Sequence, residues 1–248
     1  MPDRPGTHWF YAEPGTWDGD RVTLDEPESH HARDVLRIAP GDVITVTDGA
    51  GTVGRCKVAE VAAGRVVAAV LERETRTRPA PEVVVYQGAP KGRKADDVIE
   101  RLAELGVAEV LVYEGLRSVV RWDERRARRL AQRWRAIARG AAKQSRNAFV
   151  TRTGEVLGWD DLIARVKGEQ VCAALWEEAS TPLRTALDEG AERVALVIGP
   201  EGGLDRSEAE QLADAGARLV SLGPHILRTE NAPVVATTTV LFHYGAIG

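Results

Sequence analysis

The sequence LVIGPEGGLDRSEAE, from Leu196 to Glu210, joins an apolar run, a glycine-rich turn and a polar segment typical of a helix start. The turn lacks both the lysine of a G-x-x-x-x-G-K-[ST] phosphate loop and the G-x-G-x-x-G of a dinucleotide site. Because Glu201 would repel a phosphate bound by the loop, a neutral or cationic ligand is favoured. The alternative is a purely structural turn, in which Asp205 and Glu208 form a capping box.

Two further polar loops follow predicted strands. LWEE ends one strand at Leu175–Glu178, and LGPHILRTENAP follows another at Leu222–Pro233. Since ligands bind at the carboxyl edge of an open parallel sheet, we expect the three loops to converge on one site. Arg228 and Glu230 are candidate functional residues, although an exposed salt bridge is the alternative. Asn231 is predicted to cap the final helix.

The sequence pattern changes near residue 75. Before it, short alternating segments separated by Asp-Gly and Ala-Gly turns predict a small barrel or curled sheet, interrupted by one helix in PESHHARDVLRI. The segment TRTRPAP is typical of a linker. Beyond it, apolar strands alternate with helices, which predicts an α/β fold with a mostly parallel sheet. We therefore predict a first domain over 1–74, a linker over 75–81 and a second domain over 82–248.

Composition excludes several classes of protein. The 248 residues are 44% hydrophobic, which is sufficient for real cores. Cys56 and Cys172 lie far apart and outside any metal-ligand pattern, so neither a disulfide framework nor a metal site is predicted. No apolar run approaches the roughly 20 residues of a membrane span, and the first residues lack a signal-peptide pattern. We expect a cytoplasmic protein that binds no metal and no membrane.

Arginine dominates the basic residues, since only five of the 33 are lysines. A GC-rich source is one explanation. An RNA-facing surface is the other, because a guanidinium binds phosphate through two parallel hydrogen bonds. The densest cluster lies in a predicted helix from about Asp123 to Gln144. Its apolar stripe should be core, while its arginines are either a solvated face or an RNA contact.

Together these motifs resemble those of a known family. IGPEGGL, LGPHILRTENA and APKGRKADDVIERLAELGV are similar to elements of the RsmE family, the SPOUT-class methyltransferases that modify N3 of a uridine in 16S ribosomal RNA. HHARDVLRIAPGD resembles the family's His-His-x-x-x-Val-Leu-Arg element. The resemblance covers the whole chain and implies a PUA-like β-barrel domain before a trefoil-knot α/β domain. One departure is Asn231, where the family more often has threonine.

The resemblance also implies the ligand and the residues of the site. S-adenosylmethionine would bind in the knot, and its positive charge agrees with the argument from Glu201 against phosphate. Arg228 would stabilise negative charge on the uridine, and Glu230 would orient Arg228 or accept a proton. Family members act as homodimers with the closing helix near the interface. The residues implied to bind the cofactor are Leu175, Ile198, Gly199, Pro200, Glu201, Gly202, Gly203, Leu222, Gly223, Ile226 and Leu227.

Two groups of basic residues are predicted to contact the 16S rRNA of the small ribosomal subunit. Arg33 and Arg37 lie one helical turn apart and would face the same way. Lys91, Arg93 and Lys94 follow a strand and would reach phosphates near the catalytic edge. The rival interpretations are a SPOUT methyltransferase acting on transfer RNA or another rRNA nucleotide, a non-catalytic RNA-binding ribosome-assembly module, and a dinucleotide-dependent enzyme, which the missing glycine motif disfavours.

Overall fold

The computed structural model describes residues 8–116, 118 and 121–248. The chain divides into two compact units. The first comprises the residues up to Arg78 together with Ala142–Val150, and the second comprises Pro79–Ala141 and Thr151–Gly248. The domain limits at residues 74 and 82 stay a prediction, and residues 1–7 of the predicted first domain lie outside the described residues. Periodicity held no signal that residues 142–150 would belong to the first unit.

A six-stranded sheet forms the first unit. Its strands follow the spatial order β1-β4-β5-β6-β3-β2, and every neighbouring pair except β1–β4 is antiparallel. Alternate side chains face one core that contains Phe10, Leu24 and Ile44. The prediction of a β-rich first domain is confirmed. In chain order the strands are β1 (Trp9–Tyr11), β2 (Trp17–Asp18), β3 (Arg21–Leu24), β4 (Val43–Thr47), β5 (Thr52–Ala62) and β6 (Arg65–Thr75).

The helical segment of this unit has two geometries. Helix α1 covers Glu26–His30, and a π-helical turn continues over His31–Val35. The Asp25 carboxylate caps α1, because it accepts a hydrogen bond of 2.9 Å from the backbone N–H of Glu28. Arg37 follows with φ +55°. This left-handed backbone shows that the helical segment has ended before Arg37.

The second unit is built on a six-stranded parallel sheet with the order β12-β10-β11-β7-β8-β9. Parallel strands are buried on both faces, which accounts for apolar runs such as VVVY and VALVI. The prediction of an α/β fold with a mostly parallel sheet is confirmed. In chain order the strands are β7 (Glu82–Gly88), β8 (Glu109–Tyr113), β9 (Arg152–Thr153), β10 (Val171–Leu175), β11 (Arg193–Ile198) and β12 (Arg218–Val220).

Helices connect these strands. The apolar stripe predicted for the long helix is buried at Trp134, Ala138 and Ala141. The strand order reverses between β7 and β11, and ligands bind beside such a reversal in open α/β sheets. Among the described residues, no helix combines the length and apolar character needed to cross a bilayer. The helices are α2 (Lys94–Glu104), α3 (Glu124–Gln144), α4 (Trp159–Val166), α5 (Arg206–Asp214) and α6 (Ala232–His243).

Candidate active site

Three loops converge at the carboxyl edge of the parallel sheet. Strands β12, β10 and β11 are adjacent, so the segments that follow them share one edge, and a bridge between Pro182 and Ser221 joins the first loop to the third. The loops line a pocket of about 1080 Å³, which can hold a ligand the size of a nucleoside. The predicted convergence is therefore confirmed. All the residues implied to bind the cofactor except Gly202 line this pocket, and so do Arg228 and Glu230.

Two glycines permit close backbone contacts around the loop after β11: Gly88 lets this loop approach β7, and Gly199 lets the loop fold back on itself. A Cβ on Gly88 would lie 2.4 Å from the backbone nitrogen of Pro200, and one on Gly199 would lie 2.8 Å from the carbonyl carbon of Gly203. Backbone atoms cannot move aside as the end of a flexible side chain can, so a larger residue would displace the loop. Gly199 of this stretch therefore has a packing cause that involves no phosphate.

A buried polar chain fixes the third loop to β7 and to the loop after β11. The Gln87 side-chain amide donates a hydrogen bond of 2.9 Å to the Thr229 hydroxyl, which donates one of 2.8 Å to the Gly199 carbonyl. The Tyr113 hydroxyl donates to the Ile198 carbonyl at 3.0 Å. Burial raises the pKa of this hydroxyl and keeps it protonated. Buried polar groups need partners, so these bonds hold the loops in one arrangement.

Sequence reasoning missed Gln87, Tyr113 and Thr229. A signal was present for the first two, because EVVVYQG and EVLVYEG place polar side chains near the ends of strands that must be buried. A buried polar side chain requires a partner, and the loops at the same edge were the available partners. Thr229 had no such signal, since it lies in a polar loop between two charged residues.

Glu201 is engaged at the wall of the pocket. Its Oε1 accepts a hydrogen bond of 2.8 Å from the backbone N–H of Lys91 and lies 3.4 Å from Lys94 Nζ. The same ammonium lies 3.3 Å from Glu230 Oε2. Lys94, which was predicted to contact phosphate, thus joins two carboxylates from different loops. Two acids and one ammonium remain net negative together, so the cluster still favours a cationic ligand over a phosphate.

Arg228 and Glu230 line the same pocket without pairing with each other. Within residues 8–116, 118 and 121–248, no hydrogen bond or ion pair joins their side chains, and the ion-pair partner of Glu230 is Lys94. A backbone hydrogen bond, then Lys94 and finally the charge of Arg228 hold the pKa of the Glu230 carboxyl below its ordinary value. The expectation that Glu230 orients Arg228 is therefore corrected: the side chain that Glu230 contacts is that of Lys94. The Arg228 side chain is exposed.

The two predicted helix caps have different outcomes. The capping box of α5 is confirmed, since Glu208 N–H donates to Asp205 Oδ1 at 2.8 Å and Asp205 N–H donates to Glu208 Oε2 at 3.0 Å. The cap by Asn231 is wrong, because its side chain makes no capping bond and its φ of −97° and ψ of −35° are already helical. Instead, the Arg228 carbonyl accepts the backbone N–H groups of Asn231 and Ala232, at 2.8 and 3.0 Å.

The predicted RNA contacts lie in both units. Arg33 is in the π-helical turn, where its guanidinium lies 2.6 Å from Asp34 Oδ2. Arg37 lies beyond the turn with φ +55°, so the prediction that Arg33 and Arg37 share one helical face is wrong. In the second unit, Lys91 and Arg93 are exposed just before α2. Their contact with RNA stays a prediction.

Two protein families match the chain: an RNA methyltransferase domain over residues 77–241 and an RNA methyltransferase PUA domain over residues 24–71. Ribosomal RNA small subunit methyltransferase E of Mycobacterium bovis is 37% identical over 235 residues, which cover 93% of this chain and 90% of the relative. The Bacillus subtilis protein of that name is 32% identical and covers 87% of each chain. The solved structure of ribosomal RNA small subunit methyltransferase E from Neisseria gonorrhoeae bound to S-adenosyl methionine is 25% identical, with a TM-score of 0.86, over 95% of this chain and 97% of that one.

The fold, the converging loops and these matches define an RNA methyltransferase that carries a PUA domain. Within that class, the chain belongs to the ribosomal RNA small subunit methyltransferase E family. The resemblance of its motifs to the RsmE family is confirmed. The expected order, with a small β domain preceding an α/β methyltransferase domain, is confirmed as well.

Proposed function

We propose that this protein transfers a methyl group from S-adenosylmethionine to N3 of a uridine in 16S ribosomal RNA. The observation that carries the proposal is the three-loop pocket, where apolar side chains and backbone groups adjoin paired acids and the exposed Arg228. A relative whose solved structure holds S-adenosyl methionine matches nearly the whole chain. The relatives named as small-subunit rRNA methyltransferases support the choice of substrate.

The lining of the pocket fits S-adenosylmethionine. Leu175, Ile198 and Leu227 offer apolar contacts for an adenine ring and an aliphatic chain. Glu201 and Glu230 suit a ligand that carries positive charge. The close approach permitted by the loop glycines also leaves backbone N–H and C=O groups near the ligand. When bound, S-adenosylmethionine supplies an electrophilic methyl group.

Arg228 has the chemistry to assist the reaction at uridine. As the N3–CH3 bond forms, the S–CH3 bond of S-adenosylmethionine breaks and the N3 proton passes to water. Loss of this proton places negative charge on O2 and O4 of the base, and a guanidinium at the pocket wall stabilises that charge. Glu230 is a weak base, because its backbone hydrogen bond and Lys94 favour the ionised carboxylate. In this scheme Glu230 contributes negative charge to the pocket wall, where it pairs with Lys94. Holding both reactants in one pocket supplies a further part of the rate.

The choice of RNA is tested with isolated substrates. Labelled methyl transfer from S-adenosylmethionine would be measured in parallel on small ribosomal subunits, naked 16S rRNA and transfer RNA. We expect label in small subunits or in 16S rRNA. Label confined to transfer RNA would contradict 16S rRNA as the substrate and would indicate a SPOUT methyltransferase that acts on transfer RNA. Absence of label from all three, with intact binding of RNA, would favour a non-catalytic assembly module.

We also propose that the protein is a homodimer in the cytoplasm, where its rRNA substrate is assembled. Helix α6 exposes Val235 and Phe242, and Ile226 in the third loop is 86% exposed. Val235 and Phe242 lie seven residues apart on α6 and so share one face of the helix, and exposed apolar side chains grouped on one face mark interaction surfaces. Sedimentation of the wild-type protein should give twice the chain mass, and Phe242→Asp should lower it. A monomeric wild-type protein at every concentration would contradict the dimer.

A further inference from the structure

The exposed face of α3 carries positive charge that the candidate active site does not use. Between Glu124 and Ala141 this helix holds seven arginines and one acid, in a chain whose net charge is −4. Trp134 and Ala138 occupy its buried face, so the arginines fall on the remaining surface. Four of them form a continuous strip, which we name the arginine row: Arg125, Arg126, Arg129 and Arg133.

The arginine row differs from an ordinary solvated helix face, which mixes the two signs of charge. Arg125, Arg129 and Arg133 follow one another at intervals of four residues, about 6 Å apart along the helix axis. Like charges at this spacing destabilise a helix. In the described part of the chain, Arg133 pairs with Asp96, whereas Arg125, Arg126 and Arg129 have no acidic partner. An anion supplied from outside the chain would remove this repulsion.

The arginine row leads to the rim of the pocket. Arg133 Nη2 lies 2.8 Å from Asp96 Oδ2 in the first turn of α2. Arg93 Nε lies 3.5 Å from the same oxygen, and the next residue, Lys94, lines the pocket. Positive groups therefore follow one another from the pocket wall through Arg93 and Arg133 to Arg129.

We propose that the arginine row binds the sugar–phosphate backbone of the RNA whose uridine enters the pocket. This inference rests on the proposed function. Guanidinium groups match phosphate through two parallel hydrogen bonds, and backbone contacts of this kind position an RNA without reading its sequence. The row would fix the RNA alongside α2, while the pocket loops receive the target base.

The test compares two double variants of the full-length protein. Arg125→Gln/Arg129→Gln removes two charges from the row, and Arg101→Gln/Arg165→Gln removes two exposed charges from α2 and α4. Glutamine matches arginine in helix propensity, so both variants should fold. Affinity for a 16S rRNA transcript would be measured over a series of KCl concentrations. A plot of the log of the association constant against the log of the KCl concentration has a negative slope. In the row variant this slope should be shallower by about 1 to 2, since each lost phosphate contact removes about 0.7 to 0.9 from its magnitude.

Three results complete the test. Arg125→Lys/Arg129→Lys should retain the wild-type salt slope, because it keeps the charges. A wild-type slope in the glutamine row variant, or an equal reduction in the Arg101/Arg165 control, would overturn the assignment. Affinity for S-adenosylmethionine should be unchanged in all variants. A wild-type protein that methylates no ribosomal RNA would contradict the proposed function instead, whatever the row variants show.

Discussion

The hydroxyl of Thr229 lies 2.8 Å from the carbonyl oxygen of Gly199 and thereby fastens the loop that carries Arg228 to the turn after β11. The same hydroxyl accepts a hydrogen bond from the fully buried Gln87 side chain. One oxygen atom thus satisfies a buried donor and a buried acceptor from two other segments. The shape of the pocket depends on this pair of bonds.

Thr229→Val should destabilise the protein and weaken its binding of S-adenosylmethionine. Valine preserves the shape of threonine but removes the donor to the Gly199 carbonyl and the acceptor of one Gln87 amide N–H, at a cost of about 1–3 kcal/mol. Urea unfolding would give the change in stability, and calorimetric titration the affinity. Thr229→Ser is the matched control, because it keeps the hydroxyl. Equal behaviour of the two variants would remove the hydroxyl from this account.

Gly88→Ala should abolish binding of S-adenosylmethionine. Its Cβ would meet the Pro200 nitrogen at 2.4 Å, so the loop after β11 must move away from β7. Gly202→Ala is the control in the same loop, since no atom lies within 4 Å of its added Cβ. Calorimetric titration of both variants with S-adenosylmethionine would measure the two affinities. Wild-type affinity in Gly88→Ala would show that the close approach is dispensable.

Lys94→Met should raise the pKa of the Glu230 carboxyl. That pKa is lowered in the folded protein, so the stability that Glu230 contributes is present above its unfolded pKa and is lost as pH falls through the folded value. Without the ammonium, the folded pKa lies closer to the unfolded one, so this acid-side loss of stability should be smaller and should be complete at a higher pH.

Carboxyl NMR titration and urea unfolding as a function of pH would measure the effect. Lys91→Met is the matched control, because Lys91 reaches Glu201 through its backbone N–H, which the substitution keeps. The same Glu230 pKa in both variants would exclude a role for the Lys94 bridge.

Arg228→Ala should lower the rate of methyl transfer by about 10²–10³, as expected for the loss of a charge-stabilising donor. Affinity for S-adenosylmethionine should change little, because the guanidinium acts on the uridine. Single-turnover kinetics and calorimetric titration would separate the two. Arg206→Ala, which removes an exposed arginine paired with Glu178, is the control. A wild-type rate in Arg228→Ala would remove Arg228 from the mechanism.

The parts of the structure that local patterns determine could be predicted from the sequence. Apolar runs predicted the parallel strands, and Asp205 with Glu208 three positions later predicted a capping box. The convergence of three loops followed from the general rule that parallel strands end at one edge. That rule located the pocket without any knowledge of individual contacts.

The contacts that failed prediction join residues distant in sequence or depend on backbone geometry. Gln87 and Thr229 are 142 residues apart, and periodicity carries no information about such a pair. Asn231 has a capping residue type, but the Arg228 carbonyl already organises the backbone there. Arg37 was assigned to a helical face that its left-handed backbone excludes.

The product nucleoside tests the central claim most directly. Small-subunit RNA would be incubated with the protein and S-adenosylmethionine carrying a deuterated methyl group, then digested to nucleosides and analysed by chromatography and mass spectrometry. We expect the deuterated methyl group in N3-methyluridine, and much slower formation of this product with Arg228→Ala. Deuterium on a ribose oxygen, on another base position, or on no nucleoside at all would contradict the assignment of this pocket to uridine N3 methylation.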